Sequence, residues 1–319
     1  MQKPTLIVAL LAGIAATPLQ AQEYPSREIK LICGFVAGSG ADVMYRFMAE
    51  KLQQIAGKPV VVENRPGAQG HIATAFVAKS KPDGYTILPA GGSSLASIGY
   101  LMKTPLADPL KDFDYIGTVL KQGWYMTVDT KSPIKTVAEM TAHLKQKGSK
   151  GSYATSTNFG TVFAELYKAA TGLETVQVNY KTIADSANDL ASGTIDMAMA
   201  DPIYTISNLR NGRIRALAVS TGQRVAATPD IPTMTELGIP GVDVGVWWSV
   251  QVAAGTPKPI RDTIGKWFTQ MLSMDETKKF FANIGTDVFI SSPEATRDLI
   301  VKDMESWKNY VARAKIEPQ

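Results

Sequence analysis

Three turns rich in small residues have the composition needed to hold an anion by main-chain groups alone. The first is Phe35-Val36-Ala37-Gly38-Ser39-Gly40-Ala41-Asp42, which leaves an apolar run and opens a helical pattern. Small residues let a ligand approach the backbone, and a helix start offers unpaired N–H groups with a partial positive charge. An anion can bind there without a cationic side chain. The second, Tyr153-Ala154-Thr155-Ser156-Thr157-Asn158-Phe159-Gly160-Thr161, repeats the arrangement with more hydroxyls, and Ala90-Gly91-Gly92-Ser93-Ser94 forms a third. Each is equally explained as an ordinary strand-to-helix turn, capped by Ser39 or Asp42 in the first and by Asn158 or Thr161 in the second. Asp201, before Pro202, could accept a hydrogen bond from a ligand or cap the helix that follows. Trp124, Trp247 and Trp248 could pack two halves of the molecule together or wall a ring-shaped ligand. Lys121 and Lys181 are candidate counter-charges.

Catalytic and metal-binding patterns are missing from the sequence. His71 and His143 are the two histidines, far apart and outside any H-E-x-x-H spacing. With Cys33 as the single cysteine there is no pair for zinc or for an internal disulfide, and its apolar surroundings make it a small core residue. There is no G-x-S-x-G elbow and no P-loop, and Gly38-Ser39-Gly40 lacks the third glycine of a dinucleotide fingerprint. No cofactor or metal is expected. A secreted hydrolase using Ser39 or Ser156 is the competing reading, but the sequence offers neither serine an obvious base.

These turns need a scaffold, and the chain's periodicity supplies one. Short apolar runs at Ile29–Cys33, Val60–Val62, Thr86–Ala90 and Tyr115–Val119 read as strands. A second set follows at Met126–Val128, Gly151–Ala154, Val176–Val178, Met197–Ala200 and Ala216–Val219, and a last strand at Val246–Val252. Helical patterns lie between them, beginning with Ala41–Ala56, whose apolar stripe is stopped by Gly57 and Pro59. Long helices are expected at Pro259–Leu272, Glu276–Ile284 and Pro293–Arg313. Strand–helix alternation implies an α/β protein of two lobes, each a mixed, mostly parallel sheet flanked by helices, with a ligand cleft between them. Lobe one is expected from residues 22–122 plus 247–319, and lobe two from 123–246. The double crossing would form a hinge.

Bulk properties narrow the setting. Met1 to Ala21 carries Lys3, an apolar run from Leu6 to Ala16, and a small-residue cleavage point, which reads as a signal peptide cut after Ala21. The run falls short of the ~20 residues a membrane span needs. Of the 319 residues, 45% are hydrophobic and 19% charged, typical of a globular protein. Without Lys3 the balance is 32 cations to 29 acids, scattered along the chain, so nucleic acid is not an expected partner.

Several motifs together resemble the substrate-binding proteins of tripartite tricarboxylate transporters, the Bug family of bacterial receptors. They are Tyr24-Pro25, the Phe35–Asp42 turn, Val62-Glu63-Asn64-Arg65-Pro66-Gly67-Ala68, Pro82-Asp83-Gly84-Tyr85-Thr86 and Asp108-Pro109-Leu110-Lys111-Asp112-Phe113. Arg215-Ala216-Leu217-Ala218-Val219, Pro229-Asp230-Ile231-Pro232-Thr233 and Ala254-Gly255-Thr256-Pro257-Lys258-Pro259 complete the set. The resemblance spans the chain after residue 21. It implies a two-lobed periplasmic-binding-protein fold, a monomer, and a carboxylate ligand held by backbone amides at the first two turns. It also implies a two-component membrane permease as partner or, in some relatives, a sensor kinase; an ABC or TRAP transporter is the alternative. The chain departs from the family pattern at Ala37-Gly38-Ser39 and at Ala154–Thr161, which lacks the usual histidine, and Trp124 stands where smaller residues are common. With Phe159 and Trp248, these departures imply an aromatic carboxylate such as terephthalate.

Overall fold

A computed structural model describes residues 24–314 and 317–318; the predicted signal segment lies outside the described residues. In chain order the elements are β1 (Ile29–Cys33), α1 (Gly40–Ala56), β2 (Val60–Asn64), α2 (His71–Ala78), β3 (Thr86–Gly91), α3 (Gly92–Leu101) and β4 (Phe113–Gly123). There follow β5 (Tyr125–Asp129), α4 (Val137–Lys147), β6 (Ser152–Thr155), α5 (Asn158–Thr171), β7 (Val176–Asn179), α6 (Ala187–Ser192), β8 (Met197–Ala200), α7 (Pro202–Arg210) and β9 (Ile214–Val219). The chain ends with β10 (Gly245–Ala253), α8 (Lys258–Ser273), α9 (Asp275–Asn283), β11 (Asp287–Val288) and α10 (Pro293–Ala314).

Local chemistry accounts for most boundaries. Helix α1 buries Met44, Met48 and Leu52, spaced four apart on one face, and stops at Gly57, whose φ of 66° closes the last turn. Helix α4 begins with a complete capping box between Thr136 and Glu139. Helices α2 and α3 were not anticipated. Both start at glycines with no side-chain cap, so neither gives the usual start signal. The expected loop at Ala90–Ser94 does not exist: β3 runs through Gly91, and Ser93 and Ser94 fall in the first turn of α3.

The strands form two sheets, ordered β11-β4-β10-β3-β1-β2 and β7-β6-β8-β5-β9. Both are mixed, with a larger antiparallel share than strand–helix alternation suggests. β1 pairs in parallel with β2 and β3, but β10 runs antiparallel to both β3 and β4. In the second sheet β6 pairs in parallel with β7 and β8, while β5 is antiparallel to β8 and β9. The physical reason is the crossings: β4 leaves the first sheet and turns straight into β5, and β10 comes back beside β4.

The crossings fix which edges face each other. Gly123 at the end of β4 pairs with Gly245 at the start of β10, and Tyr125 opens β5 one residue later. Gly91, ending β3, lies opposite Trp248 near the start of β10, and β1 runs with β3. Tyr125 lies opposite Ala200, ending β8, and β6 runs with β8. The carboxyl ends of β1 and β3 therefore confront those of β6 and β8 across the gap, the edge where open α/β sheets bind ligands.

One apolar cluster runs from Leu31, Met44 and Trp248 in the first sheet through Trp124 to Phe163 and Leu166 in the second, with Trp307 of α10 among its members. Phe159 sits between lobes, its ring 5.2 Å from Trp124 and 5.3 Å from Trp307. Trp307 is 1% exposed and Val301, on the same helix, 51%. Trp307→Ala should lower stability by about 3–5 kcal/mol, and Val301→Ala by no more than ~0.5 kcal/mol, read from urea midpoints. Equal small effects would show that α10 adds little to the interlobe core.

Candidate functional site

The Phe35–Asp42 turn is organised around its own carboxylate. Asp42 is buried and accepts from the Gly38 amide at 2.8 Å, Asn64 Nδ2 at 2.8 Å and Arg46 Nε at 2.9 Å. Burial alone would raise its pKa; the bonds from Arg46, Asn64 and Gly38 outweigh that and hold it down at about 2. Ser39 is the N-cap of α1, its Oγ accepting from the Asp42 amide at 3.2 Å. Gly38 has φ 82°, a left-handed conformation suited to glycine. Asp42 and Ser39 thus occupy the Gly38 and Asp42 amides, leaving Gly40 and Ala41 as the first-turn donors of α1. Ala41 packs at the margin of the core.

Across the gap, Thr157 caps α5 rather than Asn158 or Thr161, accepting from the Gly160 amide at 3.1 Å. Thr155 is buried and its Oγ1 donates to the Thr157 carbonyl at 3.0 Å. Ser156 is half-buried between them. Thr161 Oγ1 accepts from Gln177 Nε2 at 2.9 Å, so these hydroxyls largely serve the turn. Asp201 caps α7, accepting from the Tyr204 amide at 2.9 Å, and desolvation pushes its carboxyl upward. Lys121 and Lys181 are exposed.

The starts of α2 and α3 differ from these three. Their N-caps, Gly70 and Gly91, have no side chain to occupy the first-turn amides, and at α2 the His71 amide already donates to the Ala68 carbonyl of the 3₁₀ turn (Ala68–Gly70) that runs into the helix. Both glycines line a shallow concavity, partly open to solvent, at the gap-facing edge of lobe one. Its walls include Gly34, Phe35, Tyr45, His71, Thr74 and Ser94. Phe35 stacks on Trp248 with ring centroids 5.8 Å apart, and Tyr45 meets Trp248 edge-on at 6.0 Å. Trp248 is therefore the buried backing of an aromatic wall. Trp247 points to the other face of the sheet, over Gly92, with its Nε1 donating to Asp303 at 3.1 Å. A second shallow concavity lies mid-strand between α8 and the β4–β10 pair, away from the facing edges.

Of the expected residues, the fold gathers Phe35 and Ser94 at this pocket with Trp248 behind them, and Gly38–Asp42 beside it. Thr155–Thr161 and Asp201 lie on the opposing lobe. His71, Tyr45 and Thr74 were not foreseen. For His71 and Thr74 the sequence signal was the Gly67-Ala68-Gln69-Gly70 stretch after Pro66, which carries positive-φ glycines at Gly67 and Gly70.

The sequence matches the tripartite tricarboxylate transporter family receptor over residues 44–316. The chain belongs to that family. Among its relatives, BugT of Bordetella pertussis is 30% identical over 94% of this chain and 93% of its own length. Among solved structures, R. palustris Rpa4515 with adipate superposes with a TM-score of 0.85 at 28% identity, covering 93% of this chain and all of that one. The periplasmic binding protein BugD gives 0.82 at 29% identity, covering 93% and 100%. Membership accounts for the two-lobed architecture and makes the chain a receptor by descent.

Two outcomes test the receptor's geometry. A Cβ on Gly40 would stand 2.8 Å from Ile203 Cδ1 of α7, so lobe two packs against the place where α1 begins. Gly40→Val should weaken ligand binding at least tenfold in calorimetry while moving the melting temperature by only a few degrees. Comparable loss of both would remove Gly40 from the closing contact. Asp42 has a folded pKa below its unfolded value, so its contribution is present above pH ~4 and disappears as pH falls through about 2. The gap in melting temperature between the native chain and Asp42→Asn should narrow across that interval; a constant gap would mean the charge is not what stabilises the turn.

Proposed function

We propose that this receptor captures a small organic carboxylate in the periplasm, releases it unchanged, and hands it to a two-component membrane permease. The observation that carries the reading is the convergence of two uncapped helix starts, α2 and α3, on one pocket at the edge facing lobe two. The partial positive charge at both starts, and the first-turn amides other than that of His71, favour a carboxylate. The Thr155–Thr161 turn closes over it from the other side. Adipate in the similar Rpa4515 supports a dicarboxylate. Transport without turnover is supported by Ser39, whose hydroxyl is committed to capping α1.

The wall of Phe35 and Tyr45 backed by Trp248 supports an aromatic acid, with terephthalate as the leading candidate. Calorimetric titration with terephthalate, adipate, succinate, citrate and nicotinate tests both levels. The expected order places terephthalate first. Tightest binding of succinate would overturn the aromatic assignment, and silence from every acid would overturn the carboxylate reading.

A further inference from the structure

We propose that His71 is the side chain that fixes a ligand carboxylate in the lobe-one pocket, taking up a proton as the ligand binds. The inference rests on the receptor reading above and adds to it a residue and a pH dependence. His71 is 5% exposed, is the first residue of α2 and lines the pocket beside Thr74 and Ser94. Its ring makes no hydrogen bond to another described residue, and its nitrogens are not sealed in the core but face the pocket. A buried polar ring facing an anion-favouring concavity fits a ligand that completes its bonding.

The surroundings leave His71 as the group in the pocket able to titrate near neutrality. From α1, Tyr45 donates to the Pro89 carbonyl and burial keeps it neutral. Asp42 is committed to Arg46, Asn64 and Gly38. From β1, the Cys33 thiol is pushed up to about 11 by burial, and Lys30 pairs with Glu63 at 3.0 Å. Arg65 pairs with Glu63 and lies over the Phe76 ring at 3.5 Å. β3, β10 and the 3₁₀ turn before α2 carry no ionisable side chain. Desolvation lowers the pKa of His71 in the unliganded receptor, so the ring there is neutral at pH 7. A carboxylate seated at the two helix starts supplies the missing negative charge and raises it. Between those two values, binding draws one proton from solvent onto the imidazole, whose two N–H groups then both donate.

Affinity should accordingly rise as pH falls, over a range where a simple carboxylate stays ionised. Terephthalate and adipate titrated into the full receptor should bind about three- to tenfold more weakly near pH 8 than near pH 6. Calorimetry in phosphate and in Tris, which differ in ionisation heat, should register a fraction of a proton taken up per ligand. His71→Gln keeps a hydrogen-bonding side chain without titration, so it should bind with little pH dependence and no proton uptake. A native receptor that binds either acid with no uptake and a flat profile would overturn the role of His71 while leaving the receptor reading intact. Failure of the native chain to bind either acid at any pH would overturn both.

Discussion

Both chain crossings between the lobes are tied to one buried hydroxyl, that of Ser220. The Trp124 amide donates to Ser220 Oγ at 2.9 Å, and the same Oγ donates to the Val244 carbonyl at 2.8 Å. Main-chain bonds close the ring: Ser220 N–H to Trp124 O at 2.8 Å, and Val244 N–H to Ser220 O at 2.7 Å. Because Ser220 is fully buried, a broken bond here would leave polar groups unpaired at a cost of about 1–3 kcal/mol. The crossings therefore move together. Gly123 is also needed at this place, since a Cβ there would meet Val219 and Thr221 within 3 Å. With the crossings locked, strand direction leaves the carboxyl ends of β1 and β3 facing those of β6 and β8.

Several helix starts share that facing edge, and they divide into two chemical kinds. Those of α1, α5 and α7 are filled by Ser39 with Asp42, by Thr157 and by Asp201. A first turn already served by a hydroxyl or carboxylate has less to offer an incoming anion, and a fixed carboxylate repels one. The starts of α2 and α3 are left to glycine. The filled starts make self-contained turns, and on the proposed reading the glycine starts, apart from the His71 amide bonded to Ala68, are left for a guest. On that reading, positioning and binding fall to different residues along the same sheet edge.

The aromatic residues join these parts. Phe159 rides on α5 between Trp124 at the crossing and Trp307 of the last helix, so movement of lobe two shifts rings packed on lobe one. α10 also reaches the irregular segment leading into β10, through Tyr310 donating to the Asp243 carbonyl at 2.6 Å and Arg313 to Gly241. Arg210 of α7 contacts Asn283 of α9 at 3.3 Å. Contacts of this kind repack during rotation about a hinge, which is how small changes in a cleft become a change of shape.

The sequence by itself determined the class of the fold, the two sets of strands, the helix of the first turn and the long terminal helices. All of these rest on local periodicity and on start and stop residues, as at Met44, Met48, Leu52 and Gly57. The family was legible too, from motifs spread along the chain. It also marked the Phe35–Asp42 and Thr155–Thr161 turns, but not how their donors are spent. Asp42, expected as a ligand contact or an N-cap, is bonded within the turn, because Arg46 and Asn64 reach it from a helix turn away and from another strand. Helices α2 and α3 escaped notice because glycine starts emit no capping signal. Only the tertiary structure could bring Phe35, Tyr45, His71 and Ser94 to one pocket, since they come from four separate elements that meet solely through the order and direction of the strands.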